Sequence, residues 1–260
     1  MKPTFTLLLL LISSVTVAAP KAELWPYWDH SVETNTEMIS HQDWQQFLTA
    51  YVRPVGEHHL VDYAKVSEED KHKLKRYISQ LASLDPRQYS QAEQYAYWVN
   101  LYNALTVDLI LDSYPIESIT KLGGWFSFGP WEEEVIHIGG HALTLNDIEH
   151  KILRPIWQDP RTHYALNCAS LGCPNLQLNA FDSSNTEQLL EQAAHAFINS
   201  DKGVQITSAG AEFSSIYDWF ISDFGGNQTE LIKHLAQYRP QLSGFSGKIN
   251  YHYDWALNKK

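Results

Sequence analysis

The chain has 260 residues, of which 44% are hydrophobic and 13% aromatic, with nine tryptophans. This composition can bury the core of a globular protein and excludes an intrinsically disordered chain. The formal net charge is −11 and lysine and arginine form no cluster, which argues against nucleic acid as a partner.

The first residues have the pattern of a secretory signal peptide. Lys2 supplies a positive charge, residues 5–12 form an apolar run, and the residues up to Ala19 are small. The run is shorter than the roughly 20 residues that a membrane span requires. The pattern therefore predicts a signal peptide over residues 1–18, with export to a periplasm or to the outside of the cell. We expect no membrane span after its removal.

Helical patterns predict three helices in the next part of the chain. Apolar residues recur at roughly helical spacing over 36–52, and residues 68–84 follow Ser67, a good N-cap. Ser90 and Glu93 form a capping-box pattern at the start of a long helix that ends before Pro115. Because this helix is apolar on nearly every side, we expect it to be a buried central helix.

Short strands and further helices are predicted for the second half of the chain. A diglycine turn in residues 134–143 predicts a hairpin, and Asn146 with Glu149 predicts a capped helix that stops at Pro155. The run HYALNC, residues 163–168, has the character of a strand. The remaining predicted elements are a helix at 186–200, a hairpin at 203–214, a helix at 215–224, a helix at 228–238 and a closing strand at 249–255.

Helices thus outweigh short strands, and strands do not alternate with helices along the chain. The pattern predicts an α+β fold, in which several helices surround a buried central helix beside small antiparallel sheets. We expect one globular domain over residues 19–260. The aromatic segment LGGWFSFGPWEE, residues 122–133, is expected to fold either over a cleft or onto the core.

The chain has only two cysteines, Cys168 and Cys173, and both lie in the segment NCASLGCPN. An oxidising compartment favours a disulfide between them, although so short a loop gains little entropic stabilisation. A free Cys168 would instead be a nucleophile once its thiolate is stabilised, and the small residues around it would leave amides free to bind an oxyanion. Redox exchange through the pair is a third alternative.

A nucleophilic cysteine requires a base. His150 and His163 are the candidate bases. Asp147 and Arg154 fall on the same helical face as His150, so the three form either a polarised site or a surface ion-pair row. No HExxH and no paired CxxC motif occurs, so we expect neither a metal site nor a cofactor.

Three further polar residues have both a functional and a structural interpretation. Glu149 either orients the imidazole or caps its own helix. Asn100 and Asn103 lie three residues apart in the apolar central helix, and a buried amide must find partners. They either face a cleft, where they orient a substrate or an imidazole, or bind irregular backbone such as that of the cysteine loop.

Four blocks of the sequence resemble the family called domain of unknown function 547, in its bacterial exported type. They are YWVNLYNALTV (97–107), LTLNDIEHKILR (143–154), DPRTHYALNCASLGCP (159–174) and YDWALN (253–258). The resemblance covers about residues 90–185 and extends more weakly to about 257. It implies no activity, but it marks a set of positions: Asn100, Asn103, Glu149, His150, Arg154, Cys168 and Ser170. Plant-type members lack equivalents of His163 and Cys173, which puts mechanisms that need either residue in doubt.

Two functions of different class follow as expectations. The first is a cysteine-dependent hydrolase or acyl transferase on amide or thioester bonds, with Cys168 as nucleophile, His150 as base and Glu149 or Asn100 as orienting group. Binding residues would then be Asn103, Arg154, His163 and Ser170. The alternative is a non-catalytic module for a peptide or a small thiol, with a Cys168–Cys173 disulfide. An imidazole within hydrogen-bond reach of the Cys168 sulfur distinguishes the two.

Overall fold

The computed structural model describes residues 20–124 and 128–260, so the signal peptide expected at 1–18 lies outside the described residues. The α-helices of the described residues are α1 (Gln42–Tyr51), α2 (Glu68–Ala82), α3 (Gln91–Ser113), α4 (Arg154–Trp157), α5 (Thr162–Ala165), α6 (Thr186–Ile198), α7 (Ile216–Trp219) and α8 (Gln228–Tyr238); a π-helix spans Asp147–Leu153. The strands are β1 (Val52–Val55), β2 (His58–Val61), β3 (Ile136–Ile138), β4 (His141–Leu143), β5 (Val204–Thr207), β6 (Gly210–Ser214) and β7 (Ile249–His252).

Helix α3 is the centre of the fold, as its apolar sequence predicts. Every residue from Glu93 to Val107 is buried. The Ser90 hydroxyl caps the helix by accepting the Glu93 N–H, but the Glu93 carboxylate does not complete a capping box. It accepts the backbone N–H of Ile39 at 2.7 Å instead. This bond fixes the chain ahead of α1, which begins at Gln42 and not at residue 36.

The sheets are small and mostly antiparallel, so the α+β prediction is confirmed. Strands β1 and β2 form a hairpin that the sequence did not predict, while β3–β4 and β5–β6 are the predicted hairpins. Strand β7 pairs with β6 in parallel. Parallel pairing needs a crossover connection, which here consists of α7 and α8.

Three predicted elements near the cysteines differ from the structure. The HYALNC run is the short helix α5 followed by an extended loop, because the Asp159 carboxylate accepts the Arg161 N–H and starts a helical turn. The predicted helix 215–224 is only the single turn α7. Pro155 does not end the preceding helix; it lies in the first turn of α4, where its missing N–H costs nothing.

Two buried clusters make up the core. The larger surrounds α3, and the smaller contains Tyr164 together with apolar residues of α6, α7 and α8. The chain passes from the smaller cluster to the larger between Tyr164 and Ala165, so the cysteine loop begins where the two clusters meet. Among the described helices, none has both the length and the apolar character that crossing a membrane demands.

Candidate functional site

The loop that carries both cysteines is held by two asparagines of α3. Asn103 donates to the carbonyl of Ala165 at 2.9 Å and accepts the N–H of Asn167 at 2.8 Å. Asn100 binds the N–H and carbonyl of Phe181 in the same way, at 3.0 and 2.7 Å. Both amides are therefore occupied by irregular backbone, and the expectation that Asn100 orients an imidazole is wrong. The two residues fix the entrance and exit of the cysteine loop.

The C-terminal segment closes the loop from the other side. Leu171 and Gly172 donate their N–H groups to the carbonyls of Ala256 and Asp254, both at 2.8 Å. A Cβ atom on Gly172 would lie 2.7 Å from the Asp254 nitrogen, so this close approach requires glycine. Ala169 adopts a left-handed conformation, with φ 58°. These contacts turn the loop so that the Cys168 sulfur meets the side chain of Tyr253.

The two cysteine sulfurs are 2.8 Å apart, whereas a disulfide bond is about 2.05 Å long. The structure therefore contains two free thiols, and the expected disulfide is not present. The Cys168 N–H donates to the Cys173 sulfur at 2.8 Å. The Cys168 sulfur also lies 3.2 Å from the Ser170 hydroxyl and 2.9 Å from the Tyr253 hydroxyl. Cys168 is partly exposed and Cys173 is buried.

The surroundings of the two thiols shift their pKa values in opposite directions. Burial raises the pKa of Cys168, but hydrogen bonds from Cys173, Ser170 and Tyr253 outweigh it, so that the pKa lies below its ordinary value. Burial raises the pKa of Cys173 far above its ordinary value, and the neighbouring Cys168 sulfur adds to this shift. Of the two thiols, Cys168 is thus the one that ionises first, while Cys173 keeps its proton.

Tyr253 is a residue that sequence reasoning missed, although it belongs to the YDWALN block. Burial, together with the two sulfurs, raises its pKa well above the ordinary value, so the phenol stays protonated and can donate to the Cys168 thiolate. The Ser170 hydroxyl also lies 3.0 Å from the Tyr253 hydroxyl. Ser170, one of the positions that the family resemblance marks, therefore lies next to the reactive sulfur.

Replacing Tyr253 with phenylalanine is expected to raise the pKa of Cys168. A hydrogen bond to a charged group is worth about 1.5–3 kcal/mol, and one pKa unit corresponds to about 1.4 kcal/mol. The pH midpoint of Cys168 alkylation by iodoacetamide should therefore rise by about one to two units in the Y253F variant. The matched control is Tyr251→Phe, because Tyr251 is exposed on β7 close in the chain. An unchanged midpoint in Y253F would show that the phenol does not stabilise the thiolate.

The predicted base, His150, does not contact Cys168. The hydrogen-bond partners of the Cys168 sulfur are Cys173, Ser170 and Tyr253, and no imidazole of the described chain is among them. His150 Nδ1 lies 2.9 Å from Arg154 Nη1, a position in which the imidazole accepts. The pairing of Cys168 with His150 that was expected from the sequence is therefore not formed.

His150 belongs to a second, buried polar cluster. Arg154 donates to Asp223 through Nε and Nη2, at 2.6 and 3.0 Å, and its guanidinium lies over the Phe220 ring. His163 Nε2 lies 2.8 Å from Asp223, with its ring stacked on Phe220 at 4.4 Å between centroids. The expectation of a surface ion-pair row is wrong, because His150 and Arg154 are buried. Asp147 pairs separately with Lys151.

Glu149 joins this cluster and does not cap its helix. It accepts the Tyr102 hydroxyl at 3.0 Å, and its Oε1 lies 3.8 Å from His150 Nδ1 and 3.9 Å from His163 Nδ1. The cap is made by Thr144 and Asp147, whose backbone N–H groups each bind the side chain of the other. The predicted Asn146–Glu149 cap was therefore misplaced by two residues.

Two more residues near the sites gave no signal in the sequence. The Lys202 ammonium donates to the Cys173 carbonyl at 2.8 Å and to the Asn175 side chain at 2.7 Å. Burial lowers the pKa of Lys202 to about 8. Asp223 lies 69 residues from its partner Arg154. Among the described residues, no group of three or more His, Cys, Asp or Glu side chains is arranged to hold a metal ion.

Part of the chain matches a known protein family. Residues 86–198 match the model of DUF547, described as a protein of unknown function. No curated protein and no solved structure matches the chain.

Proposed function

The chain belongs to the DUF547 family over residues 86–198, and from the geometry of its two thiols we propose that it is a thiol–disulfide exchange protein. Cys168 is the attacking thiol and Cys173 the resolving thiol. The substrate is a disulfide, which the pair reduces while it becomes oxidised.

One observation carries this proposal: two sulfurs of opposite character lie 2.8 Å apart. The thiolate is the reactive form of cysteine, and Cys168 has both the lowered pKa and the partial exposure that attack requires. Cys173 is protonated and buried, so it does not compete for the substrate. A shift of under about 1 Å would bring the two sulfurs to bonding distance.

The reaction proceeds in two steps that conserve electrons and protons. The Cys168 thiolate attacks a disulfide R–S–S–R′, so that a Cys168–S–R bond forms, the substrate bond breaks and R′–S⁻ leaves. Cys173 then loses its proton and attacks the Cys168 sulfur. The Cys168–Cys173 bond forms and R–S⁻ leaves; one leaving thiolate takes up the proton released by Cys173, and the other takes a proton from water, which balances the proton that Cys168 gave to solvent when it ionised. An external dithiol returns the pair to its reduced state by the reverse sequence.

Lys202 is placed to affect the second step, in which Cys173 attacks the mixed disulfide. Its ammonium is bound to the carbonyl of Cys173, and it lies close enough for the two cysteines to raise its pKa against the effect of burial. The interaction is mutual, because a cation near a sulfur favours the thiolate. Lys202 would therefore assist the loss of the Cys173 proton when the mixed disulfide is resolved.

Acyl transfer by Cys168 is the second candidate function. The lowered pKa of Cys168 supports it as well, since a stabilised thiolate also attacks amide or thioester carbonyls. The Ser170 and Tyr253 hydroxyls would be its local donors. Exchange is preferred because the adjacent group is a second thiol, while His150 is bound to Arg154. The non-catalytic binding module needs neither thiol to be reactive.

Reaction with a mixed disulfide between a cysteine peptide and 5-thio-2-nitrobenzoate tests the proposal. The reduced protein is expected to release one chromophoric thiolate and one peptide thiol, and to lose both free cysteines. Formation of a stable adduct, or no reaction, would contradict exchange. A thioester of the same peptide is the comparison: catalytic hydrolysis with both cysteines still free would favour acyl transfer, and inertness toward both reagents would favour the binding module.

The compartment is part of the proposal. The expected signal peptide would deliver the pair to an oxidising environment, where protein disulfides are formed and exchanged. Fractionation of cells that express the full chain tests this, and retention of the protein with residues 1–18 in the cytoplasm would contradict it.

A further inference from the structure

Five aromatic side chains form a continuous surface beside the thiol pair: Phe128, Trp131, Trp219, Tyr253 and Trp255. We call this the aromatic surface. Trp255 is its centre, with ring centroids 4.5 Å from Tyr253, 5.7 Å from Trp219, 5.7 Å from Trp131 and 5.1 Å from Phe128. Phe128 is 57% exposed and the other four rings are partly exposed. Phe128 and Trp131, which belong to the segment expected to fold over a cleft or onto the core, thus contribute to an open surface.

The aromatic surface ends at the reactive sulfur. The Tyr253 hydroxyl lies 2.9 Å from the Cys168 sulfur, and the Tyr253 ring packs against Trp219 at 4.9 Å. A molecule whose disulfide reaches Cys168 would therefore bring the groups beside that disulfide onto these rings. Apolar side chains next to the disulfide would gain contact area there.

Acidic residues accompany the aromatic rings along the chain. Glu132, Glu133 and Glu134 follow Trp131, Asp218 precedes Trp219, and Asp254 separates Tyr253 from Trp255; all five are exposed. Exposed indole and phenol faces attract cations, and neighbouring carboxylates add to that attraction. The charge of the surface therefore complements a positively charged partner and opposes an anionic one.

The size of the surface distinguishes a peptide from a single ammonium group. Rings follow one another from Trp219 through Trp255 to Phe128, and Trp219 and Trp255 are nearly parallel, at 25°. Together with Tyr253 and Trp131, which also contact Trp255, these rings extend over more area than one ammonium group covers. A surface of several rings suits several consecutive side chains of an extended segment.

Resting on the proposed function, we propose that the aromatic surface binds an extended polypeptide segment with apolar and basic side chains beside the cysteine to be exchanged. The substrate class is accordingly a protein or peptide disulfide in a basic, apolar context. Small anionic disulfides are poor substrates for the same site.

Isothermal titration with a peptide that lacks cysteine tests the surface without any thiol chemistry. The probe is a ten-residue peptide of alternating lysine and leucine or phenylalanine, with serine at the cysteine position; its counterpart carries glutamate for every lysine. The wild-type protein should bind the lysine peptide at least tenfold more tightly than the glutamate peptide. Trp255→Ala and Trp219→Ala should each weaken this binding at least tenfold, whereas Leu178→Ala, which changes an exposed apolar residue elsewhere, should not.

The outcomes separate this inference from the proposed function. Equal binding of the two peptides, or no binding of either, by a wild-type protein that still reduces the peptide–nitrobenzoate mixed disulfide would overturn peptide binding at the aromatic surface and leave thiol exchange intact. Selective binding of the lysine peptide by a protein that exchanges no disulfide would support peptide binding at the aromatic surface and contradict the proposed thiol–disulfide exchange. The wild-type comparison needs no substituted protein, so a poorly folded tryptophan variant does not weaken the test.

Discussion

The Cys173→Ser variant is expected to stop at the mixed disulfide between Cys168 and its substrate. The attack on Cys168 would proceed, because the thiolate still has Ser170 and Tyr253 as hydrogen-bond partners. Resolution would fail, since the sulfur that lies 2.8 Å away is gone. Well-oriented intramolecular reactions reach effective concentrations of about 10⁵ M or more, so an external thiol at millimolar concentration would release the substrate slower by many orders of magnitude.

Mass spectrometry after mixing with a peptide disulfide measures this directly. The C173S variant should carry one peptide per chain and keep it for hours, while the wild-type protein should carry none and show an internal disulfide. Cys168→Ser is the matched control and should form no adduct at all, because Cys173 is buried and protonated. A C168S variant that is trapped as readily as C173S would reverse the assigned roles.

Asn103→Ala is expected to destabilise the protein by about 2–4 kcal/mol. The substitution leaves the buried carbonyl of Ala165 and the buried N–H of Asn167 without a partner. Each unsatisfied buried group costs about 1–3 kcal/mol. Asn199→Ala is the matched control: its side chain also makes two hydrogen bonds to the backbone, in this case to two carbonyls, but in an exposed position, where a loss within about 0.5 kcal/mol is expected.

Urea unfolding gives these free energies. The unfolding free energy should depend on urea concentration with the same slope in the wild-type and variant proteins. Because Asn103 fixes the backbone that enters the cysteine loop, the rate of Cys168 alkylation at constant pH should also change in N103A and not in N199A. Equal losses of stability in the two variants would show that the amide of Asn103 does not hold the loop.

Local sequence signals predicted most of the helices correctly. Helices α2, α3 and α8 begin where Ser67, Ser90 and Asn227 accept a backbone N–H three residues on. The buried centre of α3 follows from its apolar composition alone. These features depend on residues within one or two turns of each other, and such short-range patterns are visible in a sequence.

The candidate site could be predicted only in part, because it depends on contacts between residues that lie far apart in the chain. Cys168 and Cys173 were identifiable as candidates, but their separation and their unequal surroundings depend on Tyr253, 85 residues from Cys168. Helical spacing correctly placed Arg154 beside His150, four residues earlier, but it gave no sign that Asp147–Leu153 is a π-helix, in which each turn contains an additional residue. No local pattern announces that change of period or the ion pair of Arg154 with Asp223.

Redox titration of the thiol pair is the most direct test of the account. The fraction of protein with a Cys168–Cys173 disulfide is measured by alkylation and mass spectrometry at equilibrium, over a series of ratios of oxidised to reduced dithiothreitol. We predict one reversible transition in which both cysteines disappear together while the fold is retained. Two cysteines that stay alkylatable at every ratio would contradict the exchange function and leave Cys168 as a lone nucleophile or the protein as a binding module.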